Sequence, residues 1–197
     1  MSEAPETRAQ GTPGVAPAAP DREAERIHTA YTRNVKAIEL RPSLATGTAV
    51  THVTVTDGMT CEVLDGEHRL TVDMPVKSGG NDRGPNPGVF GRAALGSCLA
   101  MSYMRWAVEA DLPVHRLEVE IQADYDARGE LGIDDDVTPA YTQVRYVVTI
   151  ETDAPEEEVR RVLDYADDRS PYLRVWADPV DLRREVRIRR PGTGEDG

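Results

Sequence analysis

The chain has 197 residues, 23 Lys and Arg against 35 Asp and Glu for a formal charge of −12, and an apolar fraction of 39%. That is the composition of one soluble globular domain, and a pI near 4.8 gives a surface that repels phosphate and disfavours nucleic-acid binding. No run approaches the ~20 apolar residues of a bilayer span, and residues 1–26 carry Glu3, Glu6, Asp21, Glu23 and Glu25 in place of a secretory apolar core. A cytoplasmic location with no membrane partner is therefore expected.

Residues 1–26 combine Pro5, Pro13, Pro17 and Pro20 with small and charged residues. They show no apolar period, so a disordered arm is expected. Residues 191–197 read as a flexible tail of the same kind, which leaves 27–190 as the domain. Short strands are expected at 35–40, 48–56, 59–64 and 69–74. Hairpin turns fall at Asp57-Gly58 and Asp65-Gly66, where glycine takes positive φ without steric cost. Residues 77–85 read as a loop, and Asn86-Pro87 as a cap followed by a proline in the first helical position.

Residues 89–110 form the longest helical candidate. Val89, Phe90, Leu95, Leu99, Met101, Met104, Trp106 and Val108 go nearly all the way round it, so a buried central helix is expected. Leu117, Val119, Ile121, Ala123 and Tyr125 then alternate with polar residues, the period of a half-buried strand. Its expected partner is residues 142–150. The acidic connection at 128–139 contains Asp134, Asp135 and Asp136 but lacks the ligand alternation of a calcium loop, so a solvated loop and no metal are expected. A second helix is expected from about Asp153, with Val159, Val162, Leu163 and Ala166 at helical spacing. Val180, Leu182, Val186 and Ile188 alternate as a last strand. The order is that of an α+β domain and does not match a dinucleotide-binding fold; no cofactor is expected.

The two cysteines, Cys61 and Cys98, are too few for a disulfide scaffold and are not at zinc spacing. Cys61 falls in an alternating strand and reads as structural. His28, His52, His68 and His115 are scattered. Cys98 lies about three turns into the central helix, among small residues. One reading makes it a small buried apolar residue. The other makes it a nucleophile, which requires a nearby positive group to favour the thiolate. Ser102, Arg105 and Glu109 follow it at i+4, i+7 and i+11, a narrow polar stripe in which Arg105 tilts toward the sulfur. An Arg105 to Glu109 surface pair explains the same stripe without any chemistry.

The run Gly84-Pro-Asn-Pro-Gly-Val-Phe-Gly-Arg-Ala-Ala-Leu-Gly-Ser-Cys-Leu-Ala100, with the element order from about Arg33 to Arg190, resembles the OsmC/Ohr family, whose members include thiol-dependent hydroperoxide reductases. The resemblance implies an OsmC-like fold: N-terminal antiparallel strands, a long buried central helix, further antiparallel strands and a second helix, in an intertwined homodimer. It makes Cys98 the peroxidatic cysteine. Three departures follow. Ser170 stands where the family has a resolving cysteine, Gly88 where it has an acidic residue, and Thr56 where it has an arginine. Arg105, Arg92 or Arg83 would have to support the thiolate, and Ser102 lies beside it.

Two functions are expected to compete. In one, Cys98 reduces an organic hydroperoxide in oxidative stress defence by a one-cysteine mechanism and is regenerated by an external thiol. In the other, the fold persists as a catalytically degenerate binding or structural protein. A redox sensor is a third reading, with no effector domain in the sequence to support it.

Overall fold

The computed structural model describes residues 20–189. Two compact units are present, divided after Val50. The first contains helix α1, Pro20–Leu40, and a single 3-10 turn, Pro42–Ala45. This corrects the expected strand at 35–40. Val35 and Ile38 favour a strand in a short window, yet Ala24, Ile27, Tyr31 and Val35 recur every three or four residues and make one helical stripe. The same helix includes residues 20–26, at the end of the expected disordered arm. The rest of that arm and the tail at 191–197 lie outside the described residues.

The second unit opens with a three-stranded antiparallel meander: β1, His52–Asp57, β2, Thr60–Asp65, and β3, His68–Val72. Both Asp-Gly turns form, with φ of 57° at Gly58 and 56° at Gly66. The pairing sets Cys61 of β2 opposite Val55 and Val72. After β3 the chain folds around Asp73, whose buried carboxylate accepts from Thr60 Oγ1 at 2.9 Å and from the backbone amides of Met74, Asn81 and Arg83 at 2.8 to 3.3 Å. The loop is thereby closed over a single side chain.

Helix α2 is Pro87–Glu109. Asn86 caps it as expected, accepting from Val89 N at 3.1 Å, with Pro87 in the first turn. Burial along it is confined to one stripe, Leu95, Leu99, Tyr103 and Ala107, spaced four residues apart. The expectation of burial all round is corrected: Met101 is 63% exposed.

Strands β4, Arg116–Asp124, and β5, Gln143–Glu151, pair antiparallel, with Val119 opposite Val148 and Ile121 opposite Tyr146. Between them is one short helical turn, α3, Ala127–Glu130. Leu117, Val119 and Ile121 pack on the Leu95, Leu99 and Tyr103 cluster. At Gly96 a Cβ would approach Ile121 Cγ1 to 3.1 Å, so glycine is what lets α2 lie this close to β4.

Helix α4, Glu156–Asp167, buries Ala166 in the Leu95, Leu99 and Tyr103 cluster and Val159 and Val162 with Ala107 and Leu112 toward the C-terminal end of α2. It starts after Pro155, and Asp153 instead meets His115 Nε2 at 2.8 Å. Helix α5, Pro171–Ala177, follows at once, capped by Ser170. Residues 178–189 form neither helix nor strand. The expected last strand is thus corrected: among the described residues no strand lies beside its alternating residues, and Leu182 is 91% exposed.

Candidate functional site

Cys98 sits on α2 at the edge of the buried stripe, partly exposed. Its sulfur lies 3.5 Å from Ser170 Oγ. Ser170 is fully buried, and its oxygen already accepts the Leu173 amide at 3.4 Å as the cap of α5. The hydroxyl hydrogen is then available to the sulfur. The next residue of the polar stripe, Ser102, donates to the Ala166 carbonyl at 3.3 Å. The stripe therefore faces the α4–α5 turn along its first two members.

That turn is held from below. The Asp167 carboxylate accepts from the buried Tyr103 hydroxyl at 2.6 Å and from the Tyr146 hydroxyl at 2.8 Å. Burial, and then the hydrogen bond to Asp167, pushes the Tyr146 phenol up to about 12. The same two causes push Tyr103 higher still. Two phenols, one from α2 and one from β5, thus fix the carboxylate three residues before Ser170.

Two of the three arginines offered by the sequence are bonded elsewhere. Arg83 pairs with Asp57 at 3.0 Å. Arg92 donates to the Tyr141 hydroxyl at 3.0 Å. Arg105 is exposed and joins no hydrogen bond or ion pair among the described residues. The structure brings Ser170 to Cys98 and brings none of the three arginines into a bond with it. Cys61 contacts the Met59 carbonyl at 3.9 Å, within its own hairpin. Among the described residues no cluster of three or more His, Cys, Asp or Glu could hold a metal, and no helix is long and apolar enough to cross a membrane.

Beside the thiol opens a cleft of about 1120 Å³ between the start of α2, the β4–β5 connection and α5. Leu95 and Leu173 line it, each three residues from Cys98 and Ser170 respectively, while Cys98 itself does not. Tyr141 stacks on Trp176 across its wall, ring centroids 5.8 Å apart and planes 13° from parallel. Sequence reading missed Tyr141, Tyr146, Asp167 and Trp176. Their partners are remote in sequence, and isolated aromatics carry no periodic signal.

No curated protein matches the chain. Solved structures share its fold. An OsmC-like protein from Mycoplasma pneumoniae is 12% identical with a TM-score of 0.58, over 66% of this chain and 88% of that one. A putative osmotic stress induced and detoxification response protein from Psychrobacter arcticus is 14% identical with a TM-score of 0.52, over the same shares. An OsmC-like protein of unknown function from Vibrio cholerae is 11% identical with a TM-score of 0.52, over 65% and 92%. The sequence profile described as OsmC-like protein matches residues 79–184, a span holding the capped start of α2, Cys98 and Ser170, and the chain belongs to that family.

Proposed function

We propose that this chain is a one-cysteine thiol peroxidase that reduces organic hydroperoxides in oxidative stress defence. The observation that carries this reading is the 3.5 Å contact between Cys98 Sγ, partly exposed on α2, and the hydroxyl of the fully buried Ser170. That contact sets a polar hydroxyl, rather than an apolar group, against the sulfur on which the chemistry would take place. The Cys98 thiolate attacks the outer peroxide oxygen. The O–O bond breaks, the sulfur is oxidised to a sulfenic acid, and the alkoxide leaves as the alcohol after taking a proton from water. With Ser170 where a second thiol would be needed, an external thiol condenses with the sulfenic acid, releasing water and leaving a mixed disulfide. A second external thiol then returns Cys98 and carries off the oxidised pair.

The working form in this proposal is a homodimer in the cytoplasm, where small thiols keep cysteines reduced. Support comes from apolar surface exposed in the single chain: Val53 and Val55 on β1, Leu70 on β3, Met101 on α2, and the alternating residues of 178–189. An alternating segment with no strand beside it is suited to pairing with a second copy.

A specific observation favours the degenerate binding protein as second reading: Arg83 and Arg92 bond Asp57 and Tyr141, and among the described residues no arginine is hydrogen-bonded to the sulfur. The deciding experiment measures consumption of an organic hydroperoxide with dithiothreitol as reductant. Wild type and Cys61→Ser are expected to turn over, and Cys98→Ser to be inactive. Equal rates in wild type and Cys98→Ser would refute the peroxidase and leave the binding protein.

A further inference from the structure

We propose that the cleft above Gly88 binds an organic monocarboxylate with a flat apolar body. Three side chains converge there, Asn86 and Arg92 from the start of α2 and Tyr141 from the β4–β5 connection. A Cβ placed on Gly88 would lie 3.1 Å from Tyr141 Oη, 3.2 Å from an Arg92 guanidinium nitrogen and 3.2 Å from Asn86 Oδ1. Without a Cβ, Gly88 lets these three groups draw together.

The donors there outnumber their acceptors. Arg92 gives one N–H to the Tyr141 oxygen, which leaves the remaining guanidinium hydrogens and the phenol's own hydrogen to be satisfied. Several arginines are met by carboxylates, Arg128 by Asp126 and Arg145 by Asp124 among them, while others such as Arg105 stay in solvent; Arg92 differs in lining a cleft. Arg92, half-buried, meets no carboxylate among the described residues. In a chain with twelve more acidic than basic groups, a guanidinium kept clear of its own carboxylates is disposed to take an anion from outside. A guanidinium fork next to a phenol hydroxyl matches the two oxygens of a carboxylate.

The rest of the cleft sets the body of the ligand. Leu95, Val144, Leu173 and Trp176 supply an apolar wall, and the Tyr141 and Trp176 rings, 13° from parallel, present flat faces that favour a planar group. The volume suits a small molecule. Asp126 and Glu130 line the cleft as well, and with the overall negative charge they oppose a polyanion such as a nucleotide. A single carboxylate on an aromatic or conjugated skeleton meets all of these conditions. Because Cys98 does not line the cleft, the binding stands or falls independently of the peroxide chemistry.

The test is calorimetric titration of the full chain with 2-naphthoate, 2-naphthamide and inorganic phosphate. Saturable binding of naphthoate is expected, with naphthamide weaker by about tenfold or more, the worth of one charge-assisted contact. Phosphate should show no binding. Arg92→Met should weaken naphthoate by at least as much as loss of the charge does in the amide. Tyr141→Phe, which keeps the stacking ring, should weaken it several-fold. Cys98→Ser should bind as wild type does, whatever its peroxidase activity. Equal binding of acid and amide, no binding of either, or wild-type affinity in both Arg92→Met and Tyr141→Phe would overturn the proposal.

Discussion

The sulfur of Cys98 on α2 lies 3.5 Å from the hydroxyl oxygen of Ser170, which is fully buried at the start of α5 and 72 residues away in the chain. A disulfide needs its sulfurs about 2 Å apart, so replacing that oxygen by sulfur leaves little distance to close. Ser170→Cys is therefore expected to form a bond with Cys98 on mild oxidation. Closing a loop of this length stabilises a fold by about 4 kcal/mol in the chain-entropy account. Peptide mapping without reductant checks it; two alkylatable thiols at 98 and 170 after oxidation would contradict the geometry.

Removing the hydroxyl separates its two tasks. Ser170→Ala deletes the cap of α5, which costs about 1 kcal/mol and is read by denaturant titration. It also deletes the hydroxyl in contact with the sulfur. The rate of Cys98 alkylation at neutral pH is expected to change several-fold in Ser170→Ala under conditions where the protein stays folded, a change that loss of the cap alone does not produce. An unchanged rate would mean that the hydroxyl serves only the helix.

A sulfenic acid at Cys98, with the Ser170 hydroxyl and not a thiol beside it, is exposed to a second peroxide. Under excess hydroperoxide and limiting external thiol, the protein is expected to lose activity irreversibly, with two or three oxygens added at Cys98. Mass spectrometry of the inactivated protein checks this. Ser170→Cys should resist the same treatment, because the disulfide forms before the second oxidation.

Local signals made much of this architecture legible. Asn86-Pro87 marks the start of α2, the two Asp-Gly pairs mark the β1–β2 and β2–β3 turns, and strict alternation marks β4 and β5. Failure came where the deciding term is tertiary. Residues 35–40 read as a strand because a six-residue window cannot separate β-branched residues in a helix from those in a sheet. The alternation at 178–189 is real, but a strand requires a neighbour as well as a pattern. At the site, the place of Cys98 on α2 followed from the helix start at Asn86-Pro87, while position 170 was pointed to by the family resemblance alone. The commitments of Arg83 to Asp57 and Arg92 to Tyr141 were not legible, since each joins residues 26 or 49 positions apart.

Tyr103, Asp167 and Tyr146 join α2, α4 and β5 beneath the Ser170 turn. A tyrosine whose folded pKa is raised adds stability that is complete below the ordinary value near 10 and is lost as pH rises through the folded one. For Tyr146, burial and the Asp167 bond put that loss between about pH 10 and about 12. In Asp167→Asn the charge is gone and the amide nitrogen cannot accept. Tyr146 is then expected to ionise closer to 10 in an ultraviolet titration. Leaving the buried Tyr103 hydroxyl with a poorer partner costs about 1–3 kcal/mol. Tyr146→Phe, which removes only the exposed arm, should cost less than Tyr103→Phe.

Asp73 gives the opposite pH dependence. Burial alone would push its carboxyl up, but hydrogen bonds from the amides of Arg83, Asn81 and Met74 and from the Thr60 hydroxyl together hold it below the usual carboxylate range. A carboxyl lowered on folding contributes stability above its unfolded value near 4, and that contribution is lost as pH falls through the folded value. Protonation replaces an acceptor by a donor facing a ring of backbone N–H groups, and Asp73 ties the loop they belong to, through Thr60, to the start of β2. The Met74, Asn81 and Arg83 amides are expected to lose exchange protection below about pH 4, before α2 and β4 do. Asp73→Asn should show that loss already at neutral pH, since an amide side chain offers one acceptor where the loop requires several. Uniform protection across loop and core down to the acid unfolding point would show that the carboxylate does not hold this segment by itself.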